Sequence, residues 1–202
     1  MSTNRLESFS DGVLAVAITL LVLNLSVPDV KANASLADAL AAEWPSYAAY
    51  VISFITIGII WVNHHAMLSR LREADHAILM INNLLLLTVV VIPFATSLMA
   101  KYLKAGHHGN LAAAVYGGVL LAMSAAFSLL NYQLFFRKHH LLSPQLSLER
   151  RKQIFVRAVS GVPPYVLATA LAAVSAYITL GISAALAAFY ALPIASGLDR
   201  PD

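Results

Sequence analysis

Residues 5–25 read RLESFSDGVLAVAITLLVLNL, and the apolar part of this stretch decides the class of fold. It carries no charged residue after Asp11, and it is about as long as a helix that crosses the hydrocarbon core of a bilayer. Over the whole chain 59% of residues are hydrophobic and 11% are charged, with a mean hydropathy of +0.74. A soluble domain carries about 25% charged residues. We therefore predict an all-α integral membrane protein and reject a very hydrophobic soluble bundle.

Apolar segments separated by polar turns predict six transmembrane helices in one domain that covers residues 1–202. Pro93 lies inside the third segment, where packed neighbours tolerate a proline. The last apolar stretch, residues 154–197, is about twice as long as one span, so we predict a turn near residues 175–181. The six predicted helices cover residues 6–25, 46–68, 76–99, 111–136, 155–175 and 180–197.

The distribution of Lys and Arg predicts the orientation of these helices, because cytoplasmic loops are enriched in basic residues. With six spans, one side of the membrane carries Lys31, Lys101 and Lys104. The other side carries both termini and is therefore predicted to be cytoplasmic. Its basic residues are Arg5, Arg70, Arg72, Arg137, Lys138, Arg150, Arg151, Lys152, Arg157 and Arg200.

Asp11 is an acidic residue well inside a predicted span, and a charge at that depth requires a partner. It lies about 240° around the helix from Arg5, so the partner must come from another helix. We predict a buried polar layer in which Asp11 accepts a hydrogen bond from His64 or a neighbour. Such a layer either locks helices together or handles ions or protons. Its other candidate members, at the same depth, are Ser10, Trp61, Asn63, His65, Asn82, Asn83, Asn131 and Gln133.

The opposite face of the first helix carries a stripe of Val16, Thr19, Leu20 and Leu23, all within about 60° of the direction of Arg5. An apolar stripe on a membrane helix usually faces lipid or a packed neighbour. The pattern alone therefore does not indicate a pore, although it places one small hydroxyl group, on Thr19, among bulkier apolar side chains.

The residue pattern does not favour other kinds of site. The chain has no cysteine, which excludes disulfides and Cys-based metal sites. Three histidine pairs, His64–His65, His107–His108 and His139–His140, have no carboxylate at ligand spacing. We predict no metal site, no cofactor and no nucleic-acid partner. Because no nucleophile is paired with a base, we also predict that the chain is not an enzyme.

Three blocks of this sequence resemble the transmembrane protein 175 family, which comprises lysosomal potassium channels of animals and their bacterial relatives. The first block is the R-x-x-x-F-S-D motif of the first helix, formed here by Arg5, Phe9, Ser10 and Asp11. The last three predicted helices match the family only in number and length. The second and third blocks are Trp61-Val62-Asn63-His64-His65 and the stretch from Asn83 to Pro93-Phe94, with Thr96.

The resemblance implies a potassium-permeable cation channel, in the inner membrane of a bacterium, whose partners are the lipid bilayer and monovalent cations. Bacterial members assemble as homotetramers of six-helix subunits around their first helices, and their pore lacks a T-V-G-Y-G filter. By position, the resemblance implies pore-narrowing rings at Val16, Leu20 and Leu23, a selectivity-linked Thr19, and K⁺ as the permeant ion. It assigns to helix assembly the residues Arg5, Phe9, Ser10, Asp11, Trp61, Asn63, His64 and Asn83.

Two further points follow from the residues at these positions. Val16 is smaller than the isoleucine or leucine usual at its ring, so we expect Leu20 or Leu23 to form the narrowest point and K⁺ to be preferred over Na⁺ by a modest factor. The alternative function is a proton-coupled secondary transporter in which Asp11 and His64 relay protons. Both residues are predicted near the cytoplasmic side, whereas transporter sites favour the midplane.

Overall fold

The computed structural model describes residues 3–29, 35–105, 108–142 and 146–192, which are almost entirely helical. These ranges contain no β-strand, only an isolated bridge between Leu71 and Leu142. Short 3-10 or π segments cover Leu21–Asn24, Gln133–Arg137 and His139–Leu141. The α-helices are α1 (Thr3–Leu20), α2 (Leu36–Ala42), α3 (Trp44–Leu68), α4 (His76–Val90), α5 (Ile92–Ala105), α6 (Gly109–Tyr132), α7 (Leu148–Val159), α8 (Val162–Leu171) and α9 (Ala176–Ala191).

Within the described residues, five helical stretches are long and apolar enough to cross a membrane. The third joins α4 to α5 and the fifth joins α7 to α8, and the shorter apolar helix α9 follows them. Residues 193–197 of the sixth predicted helix lie outside the described residues. The five stretches are Thr3–Asn24, Trp44–Leu68, His76–Leu103, Gly109–Arg137 and Leu148–Leu171.

The turn that precedes α9 lies earlier than predicted. The chain turns at residues 172–174, and α9 begins directly after Ser175, whose backbone is extended with φ −160° and ψ 130°. Gly181, which the prediction placed at the end of this turn, lies inside α9. Glycine is more frequent in membrane helices than in soluble ones, so it does not mark a helix boundary here.

The third predicted helix is interrupted near Pro93. This proline has no N–H with which to bond the carbonyl of Val89, and the N–H of Val91 bonds that carbonyl instead. Helical bonding resumes where the N–H of Ala95 donates to the carbonyl of Val91 over 3.1 Å. The side chain of Asn24, at the end of the first span, donates to the carbonyl of Pro93 over 2.9 Å. This hydrogen bond therefore connects the break between α4 and α5 to the end of the first span.

Helix α1 lies at the edge of the bundle. It packs against α3, α4 and α5, whereas α6 is central and contacts α4, α5, α7, α8 and α9. One face of α1 is buried against these neighbours, and its residues recur at the spacing of a single helical face. That face consists of Leu6, Ser10, Leu14 and Ala17, and Leu21 continues it into the 3-10 segment.

One end of the bundle is held together by contacts between its turns. Asp75 forms a 2.8 Å ion pair with Lys138, and its carboxylate also accepts the N–H of Ile78 at the start of α4. These two interactions, the Lys138 contact above all, lower the pKa of Asp75. The N–H of Arg72 donates to the carbonyl of Leu141 over 2.8 Å. The turn after α3 and the segment after α6 therefore lie at the same end.

A candidate pore helix and its polar network

A buried hydrogen-bonded chain connects α1, α4 and α3. The Asn82 side chain donates from Nδ2 to Ser10 Oγ over 3.0 Å, and its Oδ1 lies 2.7 Å from Nε2 of His64. Ser10 in turn donates to the carbonyl of Leu6. The Ser10, Asn82 and His64 side chains are fully buried. Because Asn82 Oδ1 can only accept, the network assigns the proton of a neutral His64 imidazole to Nε2.

Asp11 has a different partner. Its Oδ1 accepts a hydrogen bond from the indole Nε1 of Trp61 over 3.0 Å. The prediction offered His64 or a neighbour as the donor, and the structure gives that role to Trp61, whereas His64 bonds Asn82. Trp61 and His64 are both on α3; Trp61 bonds α1 directly, whereas His64 is connected to α1 through Asn82. Asp11 is half-buried, so its carboxylate remains partly exposed.

A carboxylate–histidine contact lies next to Asp11. His65 Nδ1 is 2.8 Å from Glu7 Oε1, and single donor atoms of Glu7, Asp11 and His65 lie within 4.8 Å of one another. Sequence spacing missed this proximity because the two carboxylates and the imidazole come from different helices. The His65 side chain is 52% exposed and contacts Glu7, and Asp11 accepts a hydrogen bond from Trp61. The cluster alone does not indicate a bound metal ion.

The remaining predicted motif residues lie outside the buried chain. Arg5 and Phe9 are exposed on α1, and the side chain of Asn63 donates to the carbonyl of Ile59 on its own helix. Asn83 is exposed, whereas the adjacent Asn82 occupies the network. The structure therefore joins Ser10 with His64 and Asp11 with Trp61, and it leaves Arg5, Phe9, Asn63 and Asn83 apart from both pairs.

A second polar cluster was not predicted. Ser53 Oγ lies 2.8 Å from Thr96 Oγ1 and 3.0 Å from the Tyr116 hydroxyl, so it joins α3, α5 and α6. All three residues are buried. Single hydroxyl residues in apolar segments give a weak signal in a sequence, because most of them bond a carbonyl of their own helix. The Thr96 hydroxyl bonds Ser53 of another helix and also donates to the carbonyl of Ile92 on its own helix.

The face of α1 opposite its buried residues makes little contact with its own subunit. The exposed fractions are 56% for Val16, 42% for Leu20 and 75% for Leu23, against 1% for Leu14. Thr19 is also exposed, and its hydroxyl donates to the carbonyl of Val16 over 2.9 Å. We call Val16, Thr19 and Leu20, together with Leu23 of the following 3-10 segment, the α1 stripe.

The comparisons with known proteins match the part of the chain that contains both the network and the stripe. Residues 5–93 match the family model described as Endosomal/lysosomal potassium channel TMEM175. A potassium channel of Streptomyces collinus is 43% identical over 170 residues, which cover 84% of this chain and 82% of that protein. The chain belongs to the TMEM175 family. The named members of this family are ion channels, not enzymes.

Other TMEM175 proteins support the same assignment. The crystal structure of a lysosomal potassium-selective channel TMEM175 homologue from Chamaesiphon minutus shares 37% sequence identity, with a TM-score of 0.84. The match covers 96% of this chain and 98% of that chain. The endosomal/lysosomal proton channel TMEM175 of Homo sapiens is 40% identical over 103 residues, 47% of this chain and 20% of that protein. The fold of this chain is therefore that of a TMEM175 channel subunit.

Proposed function

We propose that four copies of this chain assemble into a potassium-permeable cation channel in which α1 of each copy lines a central pore. The observation that carries the proposal is the α1 stripe, an apolar face of a peripheral helix that its own subunit leaves bare. One helix cannot enclose a pore, so the stripes of several copies must meet. The name of the Streptomyces relative and the description of the Chamaesiphon structure support potassium as the permeant ion.

The proposed subunit is a single domain of six spans, with α9 as the sixth, in a bacterial inner membrane. Both termini face the cytoplasm in this arrangement. The Glu7–His65 and Asp75–Lys138 contacts support it, because they bring the start of α1, the turn after α3 and the end of α6 to one end of the bundle. That end carries most of the Lys and Arg residues, as cytoplasmic ends do.

Within the pore, Val16, Leu20 and Leu23 form successive apolar rings. Rings without charges or carbonyl groups do not replace the hydration shell of an ion, and they discriminate by diameter, by dewetting and by the cost of removing water. Thr19 supplies hydroxyl groups between two of these rings and contributes to selectivity. The proposed preference for K⁺ over Na⁺ is therefore modest.

Two motif residues, Ser10 and Asp11, fix the pore helix to its neighbours on the side away from the pore. Ser10 accepts a hydrogen bond from Asn82, and Asp11 accepts one from Trp61. Because these bonds fix the rotation of α1, the α1 stripe faces away from α3 and α4. The alternative function, a proton-coupled transporter, requires Asp11 and His64 to exchange protons. They have separate partners, which favours the channel.

Purified protein in liposomes tests the proposal through reversal potentials in opposed KCl and NaCl gradients. We expect passive single-channel currents that reverse toward the K⁺ equilibrium potential, and a tetramer by light scattering in detergent. Leu20→Ala should weaken the K⁺ preference, whereas Leu167→Ala, at a side chain 52% exposed on α8, should not. Currents that reverse toward the anion potential, or a monomeric protein, would contradict the proposal. A pH gradient across the same membranes measures any proton permeability separately.

A further inference from the structure

A cavity of about 280 Å³ lies between α3, α6, α7, α8 and α9, and α1 contributes nothing to its lining. Most of its wall is apolar and comes from the long central helices. The apolar side chains that line it include Ile60, Met67, Met123, Phe127 and Leu186. The cavity therefore offers an apolar surface to an apolar occupant.

Arginines stand at the rim of the same cavity. Arg70 follows α3, and Arg150 and Arg157 are seven residues apart on α7, which places them on one helical face. The residues of α7 that line the cavity are Arg150, Gln153, Ile154, Arg157 and Ala158, a pattern of one amphipathic face. Helix α7 therefore presents two of its arginines to the cavity, whereas Lys152 is exposed elsewhere on the helix.

Two arginines at this rim, Arg70 and Arg157, carry positive charges that no carboxylate of the described residues pairs with. The lining of the cavity contains no Asp or Glu. Burial, together with the neighbouring charge of Arg150, lowers the pKa of Arg70. Partly buried cations without counter-charges favour binding of an anion.

We propose that this cavity binds an anionic phospholipid, with the phosphate at Arg70 and Arg157 and one acyl chain against the apolar wall. Guanidinium groups bind phosphate oxygens in a bidentate manner. Basic pockets between membrane helices bind anionic headgroups. The apolar wall below the rim distinguishes a lipid from a free phosphate ion, which would contact only the arginines. No residue of α1 lines this cavity, so the lipid proposal does not depend on the channel proposal.

Native mass spectrometry of the full chain in detergent tests the site, with 16:0–18:1 phosphatidylglycerol and the matching phosphatidylcholine as probes. We expect phosphatidylglycerol to bind more tightly than phosphatidylcholine. The double variant R70Q/R157Q should weaken phosphatidylglycerol binding by on the order of tenfold, since each basic residue near an anionic headgroup contributes a several-fold effect. The matched control R137Q/K152Q removes the same charge from exposed positions and should bind phosphatidylglycerol like the wild type.

A second variant tests the apolar part of the site without a change in charge. Ala66 lines the cavity on α3, and A66F fills part of the space next to the wall. We expect A66F also to weaken phosphatidylglycerol binding, with an unchanged circular dichroism spectrum. This variant keeps the test decisive if R70Q/R157Q does not fold.

Three results would overturn the proposal. Equal binding of both lipids, unaffected by R70Q/R157Q or A66F, would show only non-specific lipid around the protein. Displacement of phosphatidylglycerol by millimolar inorganic phosphate, with no effect of A66F, would show a simple anion site. Stronger lipid binding after deletion of residues 193–202 would show that this segment of the chain is the occupant.

Discussion

Asn82 joins three helices through the two ends of one amide group. Its nitrogen donates to Ser10 and its oxygen accepts from His64, and all three side chains are buried. Asn83, next in the chain, is exposed. The adjacent pair therefore provides a variant and its control at nearly the same depth of the bundle.

We expect Asn82→Leu to destabilise the protein by about 1–3 kcal/mol, because it leaves the hydroxyl of Ser10 and the imidazole of His64 buried without this partner. Asn83→Leu should change stability by less than about 0.5 kcal/mol, as exposed substitutions usually do. Thermal unfolding of both variants in the same detergent measures the difference. Equal losses from the two variants would show that the buried chain contributes no specific stability.

The Trp61–Asp11 bond is a second contact between α1 and α3. Trp61→Phe keeps an aromatic ring but removes the donor, and Asp11→Asn removes the charge of the acceptor. Because the two residues act through one bond, their effects on stability should not add, and a double-mutant cycle should give a coupling of about 1 kcal/mol. Additive losses would mean that each residue acts through other contacts.

The sequence predicts this region only in part. Helical spacing and topology place Ser10, His64 and both asparagines at one depth, and the depth follows from counting residues along each span. Neighbouring residues on a helix point about 100° apart, so the choice between Asn82 and Asn83 depends on how α4 rotates against α1. That rotation is decided by packing between helices. The same reason hid the proximity of Glu7 to His65.

At the scale of elements, Asp75 fastens the start of α4 to the segment after α6. It accepts the N–H of Ile78 and pairs with Lys138, which donates from a different part of the chain. The pKa of Asp75 is lower in the folded protein, so the folded state favours its ionised form. The stability that it contributes is present above the pKa of the unfolded chain, about 4, and is lost as the pH falls through the folded pKa.

We therefore expect the unfolding temperature of the wild type to fall below about pH 4 by more than that of Asp75→Asn, which cannot titrate at this position. Asp38→Asn, on the exposed helix α2, is the matched control and should follow the wild type. Unfolding curves between about pH 3 and pH 7 make the comparison. Parallel curves for wild type and Asp75→Asn would show that the contact adds no pH-dependent stability.

The predicted start of one helix differs from the structure at a run of charged residues. The fifth predicted helix begins at residue 155, shortly after the charged residues Arg150, Arg151 and Lys152 and the polar Gln153. The structure begins α7 at Leu148, and its arginines are accommodated at a cavity rim and at the end of the bundle. Long basic side chains extend toward polar surroundings, so a run of charges does not exclude a helix at a membrane boundary.

At the scale of the whole molecule, the central question is what covers the α1 stripe. A single sequence contains the pattern of the stripe but not the neighbour that faces it, because lipid and an apolar pore select similar side chains. The fold adds that α1 is peripheral and that its hydrogen bonds to α3 and α4 lie away from the stripe. Family membership adds channel relatives of similar length.

The most direct test of this account is modification of single cysteines by a charged, water-soluble methanethiosulfonate during current recording. The chain has no cysteine, so each introduced thiol reports on one position. Leu23 is 75% exposed on the α1 stripe, and Val174 is 70% exposed in the turn before α9. We predict that the reagent blocks the K⁺ current of Leu23→Cys and leaves that of Val174→Cys unchanged. An unchanged current in Leu23→Cys channels whose labelling is confirmed by mass would contradict a pore lined by α1.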